Sequence, residues 1–70
     1  MQIYRITQAE VDTWDYRRCA VNAHHYTAVL AMHEVEPAVL RPLYREEDEE
    51  YRARLKMIAN RLAALANENN

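Results

Sequence analysis

The sequence predicts an all-α fold, a two-helix antiparallel hairpin with a short N-terminal arm that dimerises into a four-helix bundle. Three observations lead there. The 70-residue chain contains no glycine, whereas a β-rich fold of this size needs glycine in its tight turns. Half of its residues are hydrophobic, and Ala, Leu, Arg and Glu, all good helix formers, are abundant. Both prolines, Pro37 and Pro42, fall in one short stretch that divides the chain into two helix-length pieces.

Residues 1–6 read as an extended arm, with Ile3 and Ile6 as anchors and Tyr4 contributing to its packing. A lone strand has no partner in this chain, so the arm is expected to dock on the helices. Thr7-Gln8-Ala9-Glu10 fits a capping box, and Ile6 and Val11 flank it at the spacing of a hydrophobic staple. The first helix is therefore expected from about residue 8 to 34, with Asp12 and Asp15 favoured by the dipole at its start. Pro37 ends it, because the residue before proline is pushed out of the α region.

Residues 35–41 form the connection, with Val39 and Leu40 expected to plug the end of the core. Pro42 suits the first position of a second helix, about 42–67, because its missing N–H costs nothing there. Asp48 to Arg52 and Glu50 to Arg54 are spaced one turn apart with the acid first, the favourable orientation. The polar tail from Asn67 is expected to fray. Helices of these lengths are about 40 Å long and match as a pair. The whole chain is one domain.

Seventy residues are few for an independent core, and disulfides cannot help because Cys19 is alone. Oligomerisation is the remaining common route. The apolar pattern agrees. The second helix has one stripe, Tyr44, Tyr51, Leu55, Ile58, Leu62 and Leu65. The first has two: Tyr16, Cys19, Ala23, Tyr26 and Leu30 on one side, and Trp14, Val21, Ala28 and Met32 about 160° further round. One stripe can be covered inside the hairpin, and the other needs a second copy or another protein.

The net charge of −2 gives no general attraction to nucleic acid or membranes. No apolar run approaches the roughly 20 residues of a membrane span. The N-terminus lacks the basic start and apolar core of a signal peptide, so the chain reads as a complete cytoplasmic protein. Lys56 is the lone lysine among nine basic residues, a bias common in GC-rich genomes that suggests a bacterial or phage source.

No motif for catalysis or a cofactor is present. Cys19 and His24 are five residues apart and His25 and His33 eight, not the three or four of helical metal-ligand pairs, so no metal is expected. Serine is absent, and Cys19 lies in an apolar stripe where a small core residue is expected. His25 and His33 are expected to hydrogen-bond in a polar seam with Asp15, Arg18 and Asn22, leaving His24 to solvent.

The expected function is that of a small non-enzymatic, protein-binding regulator or inhibitor, of the kind phages and mobile elements encode. Trp14, Val21 and Met32 are the candidate apolar anchors, since tryptophan is enriched at binding hot spots and methionine adapts to irregular surfaces. Arg18, His25 and the acidic run Glu46, Glu47, Asp48, Glu49 and Glu50 are the polar candidates; such a run can dock a basic surface. Two alternatives follow from other features. Arg17 and Arg18 could serve a nucleic-acid-binding dimer, and subunit interfaces could hold a small ligand such as a nucleotide.

Overall fold

Thr7 opens the first helix as its sequence signature requires. In the computed structural model, which describes residues 3–68, its hydroxyl accepts the Glu10 N–H at 3.3 Å and starts α1 (Gln8–Val11). The Glu10 carboxylate accepts the Tyr4 hydroxyl at 2.7 Å instead of closing the capping box. Val11 is fully buried with Ile6 packed against its cluster, as the staple predicts. Met1, Gln2, Asn69 and Asn70, the extremes of the expected arm and tail, lie outside the described residues.

The first helix is not continuous. α1 stops after one turn, and α2 (Tyr16–Val35) starts afresh. The break is built by side chains that compete with helical backbone bonds. The Thr13 hydroxyl donates to the Glu10 carbonyl at 2.6 Å, and the Asp15 carboxylate accepts the Arg18 N–H at 2.8 Å as the N-cap of α2. Trp14 is thereby turned inward. Its carbonyl accepts Arg61 Nε at 2.9 Å, and its side chain is 7% exposed.

α2 ends at Val35 because Pro37 forces Glu36 into an extended conformation (φ −69°, ψ 152°). A 3-10 segment (Ala38–Tyr44) follows, with Pro42 inside it, so α3 (Arg45–Glu68) begins three residues later than the sequence predicts and runs into the polar tail. Contacts between α2 and α3 pair Tyr26 with Arg54 and His33 with Asp48, and further along Arg61 reaches back to the Trp14 carbonyl, so the helices are antiparallel.

The core sits between α1, α2 and α3: Val11, Trp14, Cys19, Tyr26 and Ile58 are buried, with Ala23, Tyr51, Leu55, Met57 and Leu62 partly buried around them. Cys19, Ala23 and Tyr26 thus face α3 as predicted, with Leu30 half-buried on the same side, whereas Tyr16 is exposed. Leu40 is half-buried at the end of the pair, but Val39, expected to plug the core, is exposed.

The arm docks on α3 through polar groups. Glu50, only 3% exposed, accepts the Ile6 N–H at 3.1 Å and Arg54 Nε at 2.7 Å. Arg54 also donates to the Tyr4 carbonyl and, at 3.2 Å, to the Tyr26 hydroxyl. Gln8 adds a second clamp, donating to the Met57 carbonyl at 3.0 Å and accepting Asn60 Nδ2 at 3.1 Å. No buried side-chain polar atom lacks a partner among the described residues.

Candidate functional site

The predicted site residues separate into those the fold consumes and those it leaves on the surface. Trp14 belongs to the first group. The second stripe assumed an unbroken helix from residue 8; the break at Thr13–Asp15 rotates the indole into the core, so Trp14 is no surface anchor. Arg18 lies over it, with the guanidinium carbon 4.8 Å from the ring centroid, a cation–π contact that shields the indole from solvent. Two nominated residues therefore meet, as structural partners.

The acidic run divides in the same way. Glu50 is buried in its ion pair with Arg54, as the one-turn spacing predicts, and cannot serve as a docking charge. Partial burial lowers the Arg54 pKa, but hydrogen bonds to Glu50 and Tyr26 and the charge of Glu50 outweigh that and hold it above its ordinary value. Asp48 does not pair with Arg52; it lies 2.6 Å from His33 Nδ1, and the His33 ring stacks on Tyr44 with centroids 4.0 Å apart. Glu49 makes a loose 3.8 Å pair with Arg45. Glu46 is exposed and Glu47 half-exposed.

His25 is exposed beside the aromatic pair, its ring 5.6 Å from Tyr26 and 6.1 Å from Tyr51, while Asn22 receives the Tyr26 hydroxyl. His24 faces solvent. Cys19 is fully buried, and burial pushes its thiol above the ordinary value, which makes it a poor nucleophile. Among the described residues no group of three or more His, Cys, Asp or Glu is arranged to hold a metal ion. No helix among them is long and apolar enough to cross a membrane.

Part of what remains on the surface is aliphatic. Val21, Ala28 and Met32 lie on the side of α2 away from α3, joined there by Ala20, Ala31 and Val35, and all are exposed. The exposed aliphatic side chains continue beyond the helix. Val35, Val39 and Leu43 are 85%, 80% and 75% exposed. The sequence places Val35 and Val39 in the connection, Val39 as a core plug, and Leu43 in the second helix, so none of the three was expected on the surface; their apolar character on both sides of Pro37, with only Leu40 turned inward, was the available signal.

At this end of the hairpin the surface is grooved. A depression of about 710 Å³ is lined by Ile3, Pro42, Leu43, Tyr44 and Tyr51 together with Arg45, Glu46 and Glu47. A second, of about 470 Å³, runs past Arg41, Arg45 and Arg52, with Asp48 and Glu49 among them. The first combines apolar side chains with two carboxylates and one guanidinium, a lining that is acidic on balance. The exposed surface thus offers apolar contact area beside charges of both signs, the ingredients of a protein-binding patch.

No known protein family, curated protein or solved structure matches this chain.

Proposed function

We propose that the protein is a small non-enzymatic regulator or inhibitor that acts in the cytoplasm by binding another protein at the connection end of its hairpin. The observation that carries this reading is the exposure of Leu43, which lines the groove that holds Glu46 and Glu47, with Val39 exposed on the same 3-10 segment. Large aliphatic side chains held this open on a small domain mark interaction surfaces, and the flanking carboxylates favour a partner segment with basic residues. Of the polar candidates, Glu46 and Glu47 take the docking role; Asp48 is engaged by His33 and lines the second depression instead.

The test uses the wild-type chain and Leu43→Asp as baits in an extract of the source cells, with bound proteins quantified by mass spectrometry. A protein held by the wild type and lost at least tenfold with Leu43→Asp, and weakened by Glu46→Lys/Glu47→Lys, is the expected result. Identical retention by wild type and Leu43→Asp would remove the reading. Salt-sensitive binding of RNA or DNA, abolished by Arg17→Ala/Arg18→Ala, would replace it with the nucleic-acid alternative.

A further inference from the structure

We propose that the outward face of α2 is covered by a second copy of this chain, packed antiparallel across a two-fold axis, with the two α3 helices on the outside. The inference rests on the reading above only in that both use the chain's apolar surface; it concerns a different face and a different occupant. The pattern comes first. Arg17, Val21, His24, Ala28, Ala31 and Val35 follow one another at spacings of four, three, four, three and four residues. That is the seam of a helix pair, and it reads the same in both directions. A two-fold interface joins a patch to itself, so a seam that is symmetric under reversal is what an antiparallel pair requires.

Charge selects the same orientation. From Cys19 to His33 there is no Asp, Glu, Lys or Arg, so the centre of the face carries no formal charge to desolvate apart from histidine. Arg17 and Arg18 lie at the start of α2, and Glu34 and Glu36 at its end. Arg18 is held over Trp14, so antiparallel pairing sets chiefly Arg17 of one copy against the glutamates of the other. Parallel pairing would set like charges together. Asp15 at the arginine end is already engaged as the α2 N-cap.

Area supplies the third argument. The chain presents 5329 Å² of accessible surface at 8.3 kDa. A folded monomer of that mass presents about 4,600 Å², so roughly 700 Å² is in excess, close to the ~800 Å² per partner that a standard interface covers. The hairpin is a slab, 47 × 22 × 13 Å, one helix layer thick, where domains ordinarily pack two. The two apolar sides of α2 lie nearly opposite each other. A second copy therefore stacks on α2, forming a layered α3–α2–α2–α3 assembly, in place of a bundle in which every helix faces one axis.

The experiment is sedimentation equilibrium of the purified full chain from 5 to about 500 μM, a range that spans weak and tight dimers. It would be run on the wild type, Ala28→Glu and Lys56→Glu, with circular dichroism to confirm that each variant keeps its helices. The expected result is twice the chain mass for the wild type and for Lys56→Glu, which alters the outside of α3, and the single-chain mass for a folded Ala28→Glu. For register, Arg17→Cys and Val35→Cys chains are mixed and oxidised; an antiparallel pair gives the mixed disulfide in large excess over either self-disulfide. A wild type that stays monomeric throughout, which leaves the face to a different protein, overturns the proposal. So does a dimer indifferent to Ala28→Glu, or predominance of the self-disulfides.

Discussion

The outward sides of α2 and α3 belong to two helices of similar length, 20 and 24 residues, in one antiparallel pair, yet their chemistry is opposite. The outside of α3 presents Arg45, Glu46, Glu49, Arg52 and Lys56 to solvent. The outside of α2 presents Ala20, Val21, Ala28, Ala31, Met32 and Val35. α3 has one apolar side, which the hairpin buries, and its other side is hydrated. α2 has two apolar sides, and folding within one chain covers only the inner one. The difference separates two uses of hydrophobic residues in a small domain: some make the fold, others wait for whatever covers them.

Substitution in the core beneath α2 and on its outer side should therefore give the largest contrast. Trp14 and Cys19 belong to the inner, folded layer; Met32 belongs to the outer. Trp14→Ala removes a buried indole and the platform for Arg18, and core truncations of this kind cost about 3–5 kcal/mol. A 70-residue domain has little more stability than that in total, so this variant should lose most of its helical circular dichroism at 25 °C. Met32→Ala, measured by urea unfolding at a concentration where the chain is monomeric, should shift stability by less than about 0.5 kcal/mol. Equal effects would show that the outer side of α2 carries as much of the single chain's stability as the core does.

The acidic run repeats the contrast on α3. Glu50→Gln keeps the shape but leaves Arg54 partly buried without its charge partner and weakens the acceptor for the Ile6 N–H. Breaking a buried pair by removing one partner costs about 3 kcal/mol. Amide hydrogen exchange at Ile6 should accelerate together with that loss. Glu49→Gln, which removes only the 3.8 Å exposed pair with Arg45, should fall within about 0.5 kcal/mol of the wild type. A cost for Glu49→Gln near that of Glu50→Gln would contradict the division of the run.

Much of this was legible in the sequence, and what was not has a physical reason. Thr7 and Glu10 marked the start of helix, Pro37 its end, and Glu50 and Arg54 their own pair, because each depends on residues within a turn or so of one another. The break at Thr13–Asp15 was not foreseen, since a helical projection assumes helix throughout. Asp12, Thr13 and Asp15 are residues that favour caps over helix interiors, and together they were the unread signal. The burial of Glu50 alone among five acids depends on the Ile6 N–H, 44 residues away, and no local pattern in the run encodes that contact. Val21 and Met32 stayed on the surface as read, whereas Trp14 left it when the helix broke.

Alkaline pH sharpens the inner-layer argument by a smaller amount. Burial raises the Cys19 thiol above its ordinary 9.0, with Arg61 opposing and Asp15 adding to the shift. Because the folded pKa is the higher one, the neutral thiol stabilises the fold fully below the unfolded value. That contribution is lost as pH rises through 9 towards the folded value, where the unfolded chain ionises first. Tyr51, raised chiefly by burial, acts with the same sign from about pH 10. The urea midpoint should fall between pH 8.5 and 10, and Cys19→Ala, though less stable at pH 7, should fall less over that range. An equal slope for both chains would assign the alkaline loss to other groups.

The smallest effect belongs to the junction between the folded layer and the exposed connection. His33 joins the end of α2 to the start of α3 through its 2.6 Å contact with Asp48 and its stacking on Tyr44, the last residue of the 3-10 segment. Both side chains of the pair are partly accessible, at 13% and 20%, so water competes for the contact and a coupling of about 1 kcal/mol is expected. Asp48→Asn retains an oxygen acceptor and should cost less than Asp48→Ala. His33→Ala also loses the stack and should cost the most of the three. A double-mutant cycle of His33→Ala and Asp48→Ala, read by urea midpoints, measures the coupling directly. If it is zero, the His33–Asp48 contact does not hold the groove beside Tyr44, and only the stacking of His33 on Tyr44 links α2 to the surface proposed for docking.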